Sequence, residues 1–300
     1  MNVTTQAWLK RLPSTLYKLG AQAWLDKTYP RHLFIETTAA CNLTCTYCPR
    51  ERRGNHMDYA LFTRLVDEAT HYGRRSFSLH LFGEPLLYPK ILDAISYLKA
   101  RHHTVLLTTN GTHLNRFVDD LIGRGVDLVL WTWRPEAQFT PETKGKLRKW
   151  GRFRVRFIAE VTPKEAHLEW ADWPNVEGRA LHNYGGTIDT SLWAPTTPAP
   201  TESGSSSGVS PGGRYPCYHL WFAPAVAWNG DILLCCADPH RKEVLGRFPG
   251  VSVHDVWVSD RLERIRQGHR QGDFSGICAG CDVWKQYPDI FFKWQKRSLS

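Results

Sequence analysis

The feature that most constrains this chain is a sixfold alternation of short apolar runs and helical patterns between residue 32 and about residue 186. "HLFIETT" (32–38), "SFSLHLFG" (76–83), "TVLLTTNG" (104–111), "VDLVLWTW" (126–133) and "RFRVRFIAEV" (152–161) have the length and content of strands. Between them, residues 58–72, 89–102, 113–124 and about 141–150 carry helical spacing, with Asp58 placed as an N-cap. A sixth, poorer strand is expected at about 176–184. Strands joined by helical crossovers pair in parallel. The expected class is therefore α/β, a partial (β/α)6 parallel barrel followed by a small C-terminal module. Polar residues at strand ends, such as Glu84 and Asn110, then fall where such sheets build their sites.

Composition marks the boundaries. Residues 194–213, "APTTPAPTESGSSSGVSPGG", cannot bury a core and read as a flexible linker. The expected layout is a helical leader (1–31), the barrel (32–193), the linker (194–213) and a cysteine-bearing module (214–300). The first 25 residues lack acidic groups and carry an apolar stripe at positions 8, 12, 16, 19 and 23. They form either a helix packed on the barrel or a membrane-surface helix. No apolar run approaches the roughly 18 residues of a membrane span, and no signal peptide is evident. A cytoplasmic protein with no membrane partner is expected.

The net charge of +9 is dispersed, at Arg52 and Arg53, Arg74 and Arg75, Lys144 to Arg156 and Lys293 to Arg297. It reads as a solvated basic surface or as attraction for an anionic substrate. No compact basic-aromatic module for nucleic acid is present. Eight cysteines in a reducing compartment point to metal or redox work rather than to disulfides.

Three of them, Cys41, Cys45 and Cys48, fall in "CNLTCTYCPR" at C-x3-C-x2-C, directly after the first strand. A tetrahedral zinc site needs four ligands, so His56 or another residue would have to complete it. Alternatively, three thiolates hold three corners of an iron–sulfur cubane and leave the fourth iron open.

This spacing before a parallel α/β sheet resembles the radical S-adenosylmethionine (SAM) superfamily, with Tyr47 ahead of the last cysteine. The resemblance implies a [4Fe–4S] cluster on Cys41, Cys45 and Cys48 that binds SAM and generates a 5'-deoxyadenosyl radical. "LFGEP" (81–85) stands where the family carries Gly-Gly-Glu-Pro; Gly83, Glu84 and Pro85 match, and Phe82 replaces the first glycine. Glu84 is implied to receive the SAM ammonium, and Tyr47 to contact adenine through its backbone. Thr109, Asn110 and Gly111 of "TTNG" are implied to lie near SAM. The fourth strand departs from the family: "WTWRP" (131–135) stands where relatives carry Ser-x-Asp-Gly, with Thr132 for the serine and no acid. On the fifth strand, alternation sets Arg154, Arg156, Ile158 and Glu160 on one face. Phe153, Val155, Phe157 and Ala159 then pack on helices. Arg156 and Glu160 in the lumen are candidates to meet SAM or substrate, or they form a structural pair.

The C-terminal module holds Cys217, Cys235, Cys278 and Cys281, spaced 18, 43 and 3 apart, with an Asn229-Gly230 turn before Cys235. It resembles the SPASM and "twitch" extensions of radical SAM enzymes, which implies one auxiliary [4Fe–4S] cluster; a structural zinc is the alternative. Cys236 is left over as inert packing, an alternative ligand or a hydrogen-atom donor to a substrate radical. The layout resembles aminocyclitol dehydrogenases. It implies oxidation or epimerisation of a small cyclitol, aminoglycoside or sugar, with an external one-electron reductant of the flavodoxin or ferredoxin type. A peptide- or protein-modifying maturase and a non-enzymatic iron–sulfur scaffold are the competing classes.

Overall fold

The computed structural model describes residues 27–49, 54–193, 214 and 216–286. Most of the expected leader and the whole of the expected linker lie outside these residues.

Six strands follow one another with helical crossovers: β1 (His32–Ile35), α1 (Tyr59–His71), β2 (Ser76–Ser78), α2 (Ile91–Ala100), β3 (Thr104–Thr109), α3 (Leu114–Gly123), β4 (Leu128–Thr132), α4 (Pro141–Trp150), β5 (Phe153–Ile158), α5 (Lys164–Glu169) and β6 (Val176–Arg179). Every neighbouring pair from β1 to β6 is parallel, as crossover connections require. The sheet does not stop at β1. The chain returns at α6 (His219–Phe222), and β7 (Ala225–Val226) pairs with β1 in parallel, Phe34 opposite Ala225 and Ile35 opposite Val226. β8 (Asp231–Leu233) and β9 (Val244–Arg247) then add antiparallel strands, giving one nine-stranded sheet in the order β6-β5-β4-β3-β2-β1-β7-β8-β9. Helices α7 (Val253–Trp257) and α8 (Asp260–Gln271) complete the module. The barrel is thus partial, and the C-terminal module is an extension of its sheet.

Local chemistry sets the helix ends. Asp58 caps α1 by accepting from the Leu61 amide at 3.0 Å, as expected. Thr140 and Ser259 do the same for α4 and α8. Gly151 ends α4 at φ +69°, a left-handed position that costs glycine little.

One face of β1–β5 packs on the helices. Leu33, Ile35, Phe77, Val105, Leu107, Val129, Phe153 and Val155 are at most 1% exposed and meet Phe62, Leu65, Val66 and Ala69 of α1 among others. Each such side chain contributes roughly 1.5–3 kcal/mol of burial. The opposite face, alternating with it, lines the lumen.

Four expected strand ends fall short by three residues or more, the first being β1, which ends at Ile35 rather than at 38. β2 ends at Ser78 rather than at 83, because the chain bends there toward the cysteine loop and Pro85 starts a one-turn helix, Pro85–Leu87. β5 ends at Ile158: the Thr162 amide donates to the Ile158 carbonyl at 2.8 Å and closes a turn, so Ala159 is exposed instead of packed on helices. β6 ends at Arg179, and the residues up to 184 turn away from the sheet.

Candidate functional site

The three-cysteine loop leaves β1 and is seated from below by backbone. The Met57 amide donates to the Thr37 carbonyl at 2.9 Å, and the Ala39 amide to the Asn55 carbonyl at 2.8 Å. His56 is engaged in this seat through Nδ1, 2.8 Å from the Thr38 hydroxyl. Gly83 lies flat against the loop: a Cβ there would strike the Thr38 carbonyl and stand 2.9 Å from the Ala40 oxygen. The Glu84 amide donates to that Ala40 oxygen at 2.7 Å. Gly83 is thus needed for backbone to approach backbone. This close approach sets where the cysteines stand.

Donors from the next strands converge on the half-buried thiols. Asn110 Nδ2 lies 3.7 Å from Cys41 Sγ and donates to Asn42 Oδ1 at 3.0 Å. Arg134 Nε lies 3.3 Å from Cys45 Sγ, and its guanidinium covers the Tyr47 ring at 5.1 Å. The Cys48 amide donates to the Cys45 carbonyl at 3.1 Å, curling the loop. Burial pushes the Tyr47 phenol above its ordinary range.

Glu84 ties β2 to β3. Its carboxylate is 2% exposed and accepts from Thr109 Oγ1 at 2.7 Å, the Asn110 amide at 2.7 Å and the Leu86 amide at 3.1 Å. Burial outweighs these three donors and raises its pKa to about 7. Thr109 Oγ1 also accepts from the Gly111 amide at 3.0 Å. Gly111, at φ +84°, has no room for a side chain because the Trp131 indole fills that space. Trp131 Nε1 in turn donates to the Asn110 carbonyl at 3.0 Å.

Arg156 and Glu160 do not pair with each other. Arg156 Nε donates to Glu177 Oε1 on β6 at 2.7 Å. Glu160 Oε2 instead accepts from the Leu181 amide at 2.7 Å and fixes the chain beyond β6. Four imidazoles gather on this side: His32, His80, His182 and His219. Burial lowers His32, His80 and His219 to about 3, and His182 well below its ordinary value. Arg179, beside His182, adds to the effect on His80, His182 and His219. These rings are neutral at neutral pH. The Thr108 amide donates to His80 Nδ1 at 3.1 Å, which leaves the ring hydrogen on Nε2.

The other cysteine set meets at one place. Cys217, Cys235, Cys278 and Cys281 line a single cavity with Leu220 and Ile277. Cys236 does not line it; it packs against the small apolar cluster of Ala225, Ala227 and Leu233, 3.8 Å from His219 Nε2. The two neighbours Cys235 and Cys236, in the turn that follows β8, thus have different surroundings, the first in the four-cysteine cavity and the second beside His219. Among the described residues no three His, Cys, Asp or Glu side chains are gathered tightly enough for one metal ion. A cubane binds each thiolate at a different iron. No described helix is long and apolar enough to cross a membrane.

Sequence reasoning missed Arg134, the lumen imidazoles and Tyr184, which stands beside Phe82. Arg134 lies just past β4 at the departing "WTWRP", so its place at a strand end was the available signal. The histidines share no spacing, since one strand (His32), the segments after β2 and β6 (His80, His182) and a helix start (His219) bring them together.

Comparison with known proteins agrees with this geometry. Residues 35–130 match the family model of the radical SAM superfamily, and residues 217–282 match that of the SPASM iron–sulfur cluster-binding domain. The chain is similar to the S-adenosyl-L-methionine-dependent 2-deoxy-scyllo-inosamine dehydrogenase of Niallia circulans, 24% identical over 86% of this chain and 94% of that protein. It is also similar to the tungsten-containing aldehyde ferredoxin oxidoreductase cofactor-modifying protein of Pyrococcus furiosus, 32% identical over 34% of this chain. That match spans 30% of the relative's own length. Among solved structures, BtrN in complex with AdoMet and 2-DOIA superposes with a TM-score of 0.62 at 19% identity, covering 84% of this chain and 92% of that one. Streptococcus suis SuiB bound to precursor peptide SuiA gives 0.59 at 17% identity, covering 90% and 74%. These likenesses establish a shared fold.

Proposed function

From a chain that joins a radical SAM domain at residues 35–130 to a SPASM iron–sulfur domain at residues 217–282, we propose an enzyme that oxidises a secondary alcohol of a small cyclitol, aminoglycoside or sugar. The observation that carries this reading is the pair of unequal cysteine sites. Three half-buried thiols follow β1, while four others line one cavity in the C-terminal module. The dehydrogenase likeness across 94% of a relative's length favours oxidation.

The donor sets fit the groups implied. Cys41, Cys45 and Cys48 would hold one [4Fe–4S] cluster with a position left for SAM, and Cys217, Cys235, Cys278 and Cys281 would close the other. Bound there, the first cluster and SAM supply a radical that removes a substrate hydrogen atom, and the second accepts the electron released when a carbinol becomes a ketone.

The protein's own groups do the rest. Gly83, Pro85 and Gly111 hold the strand-end turns, and Thr109 and Asn110 hold Glu84 in position. An ionised Glu84 would receive the ammonium of SAM, and Tyr47 would contact the adenine through its backbone. Arg156, anchored by Glu177, is the donor assigned to a substrate oxygen. His219, held neutral by burial and close to Cys236, is a weak base at about 3. It is assigned to orient the alcohol by accepting its hydroxyl hydrogen bond at a ring nitrogen, the proton released passing to solvent. Phe34, Leu81 and Cys236 all pack on the buried Ala225, Ala227 and Leu233, which keeps that cluster dry.

Epimerisation is a second reading, favoured by the direction of Cys236. A thiol outside the four-cysteine cavity and beside the His219 ring supports the reading that Cys236 returns a hydrogen atom. The electron donor is assigned to a flavodoxin- or ferredoxin-type protein, and the setting to the cytoplasm.

The test uses anaerobically reconstituted enzyme with SAM, dithionite and cyclitols, aminocyclitols and sugars deuterated at each carbinol carbon. Deuterium in 5'-deoxyadenosine together with a ketone supports the proposal. 5'-Deoxyadenosine formed with label from none of these, while a peptide panel is labelled, rejects it.

A further inference from the structure

The turn after β6 shares neighbours with both cysteine sites. On one side Asn183 is clasped to the loop that follows Cys278. Its amide donates to Asp282 Oδ1 at 2.8 Å, its Nδ2 donates to the Gly280 carbonyl at 2.7 Å, and its Oδ1 accepts from the Asp282 amide at 3.1 Å. The Gly185 backbone donates toward the Cys281 thiol and lines the four-cysteine cavity. A Cβ on Gly185 would stand 3.3 Å from the Ala237 carbonyl oxygen, so this backbone runs close under the module.

Between them Tyr184 has φ +44°, a region that side-chain-bearing residues seldom adopt and that surrounding contacts must impose. The ring packs on the apolar cluster of the module and edge-on to the His182 imidazole at 3.9 Å, and it also reaches toward the other site. It meets the Phe82 ring edge-on at 5.9 Å, and its phenol is near enough to Tyr47 for the two to act on each other electrostatically. Phe82 and Tyr47 flank Gly83 and Cys48. The residue that displaces a glycine in the strand-2 motif therefore supplies the surface on which Tyr184 rests.

We propose that Tyr184 is a positioning residue that couples the two cysteine sites: the 183–186 turn is clasped to the four-cysteine loop, and the Tyr184 ring, braced on Phe82, transmits that attachment to the three-cysteine loop and the Gly83–Pro85 turn. The identity of SAM as the ligand of the three-cysteine site rests on the function proposed above; the coupling itself does not.

The experiment compares Tyr184→Phe, Tyr184→Leu, Phe82→Leu and the double leucine variant with the reconstituted wild type. SAM affinity, iron content and backbone hydrogen exchange of residues 41–49 are measured on each. Tyr184→Leu and Phe82→Leu are expected to weaken SAM binding about three- to tenfold, the worth of an aromatic pair. The double variant is expected to lose no more than the worse single, because both remove one contact. Exchange at 41–49 should quicken in the leucine variants and stay unchanged at 91–107. Tyr184→Phe, which keeps the ring, should match the wild type with iron retained in all four.

Unchanged exchange and unchanged SAM affinity in Tyr184→Leu overturn the proposal, as do single losses that multiply in the double variant. Loss of iron from the four-cysteine site alone, with 41–49 undisturbed, also overturns it, since the turn would then serve one site. A wild type that binds no SAM would reject the proposed function, while the exchange readout would still decide the coupling.

Discussion

Replacing Glu84 with glutamine removes a charge from an enclosed site while keeping its shape. The wild-type carboxyl titrates at about 7 in the fold against an ordinary value of 4.5. The folded state therefore holds a proton over a range where the unfolded chain has released it, and stability falls as pH rises between these values. The span is about 2.5 pH units, or about 3 kcal/mol at 1.36 kcal/mol per unit. Glutamine has no such titration. Its amide also presents a donor to one of the three donors that Glu84 accepts, a cost of about 1–3 kcal/mol that does not vary with pH.

Urea denaturation of iron-free wild type and Glu84→Gln at pH 5 and pH 8 measures the difference, and unrelated titrating groups cancel. The wild type's advantage over the variant should be larger at pH 5 and shrink by about 2.5 kcal/mol by pH 8, since pH 5 already lies above the unfolded value. An advantage that stays flat or grows with pH would refute the reasoning, because the three donors would then outweigh burial.

Gly83→Ala should cost about 3 kcal/mol, since the new methyl meets fixed carbonyls and not a yielding side chain; thermal denaturation and iron retention check it. Arg134→Gln removes the guanidinium beside Cys45 and should lower cluster affinity in a chelator competition by about tenfold. If Cys236 returns a hydrogen atom, product formed in D2O carries deuterium and Cys236→Ala abolishes that label. If the reaction is oxidation alone, the variant leaves the product unlabelled and unchanged.

Much of the barrel was legible because its signal is periodic. The runs at 32, 104, 126 and 152 become β1, β3, β4 and β5, and Asp58 caps α1 by the chemistry that marked it. The ends of β2, β5 and β6 were not, because tertiary turns cut those runs short. The two residues of β7 carry no strand signal at all; their pairing with β1 joins the module to the sheet. At the site, the cysteine spacings and the Gly83–Pro85 motif were legible as local patterns. The partners of Arg156 and Glu160 were not, because Glu177 and Leu181 arrive from the next strand and its exit. The contacts of Arg134 with Cys45 and of Tyr184 with Phe82 span 89 and 102 positions, and no local window shows them.

The account depends on an iron that three thiols leave open, and electron paramagnetic resonance of the reduced, reconstituted enzyme addresses it directly. Wild type should bind about eight irons and its signal should change when SAM is added; with Cys41, Cys45 and Cys48 all replaced by alanine, about four irons should remain and SAM should change nothing. A wild-type signal indifferent to SAM, or zinc in place of iron at those three cysteines, would contradict it.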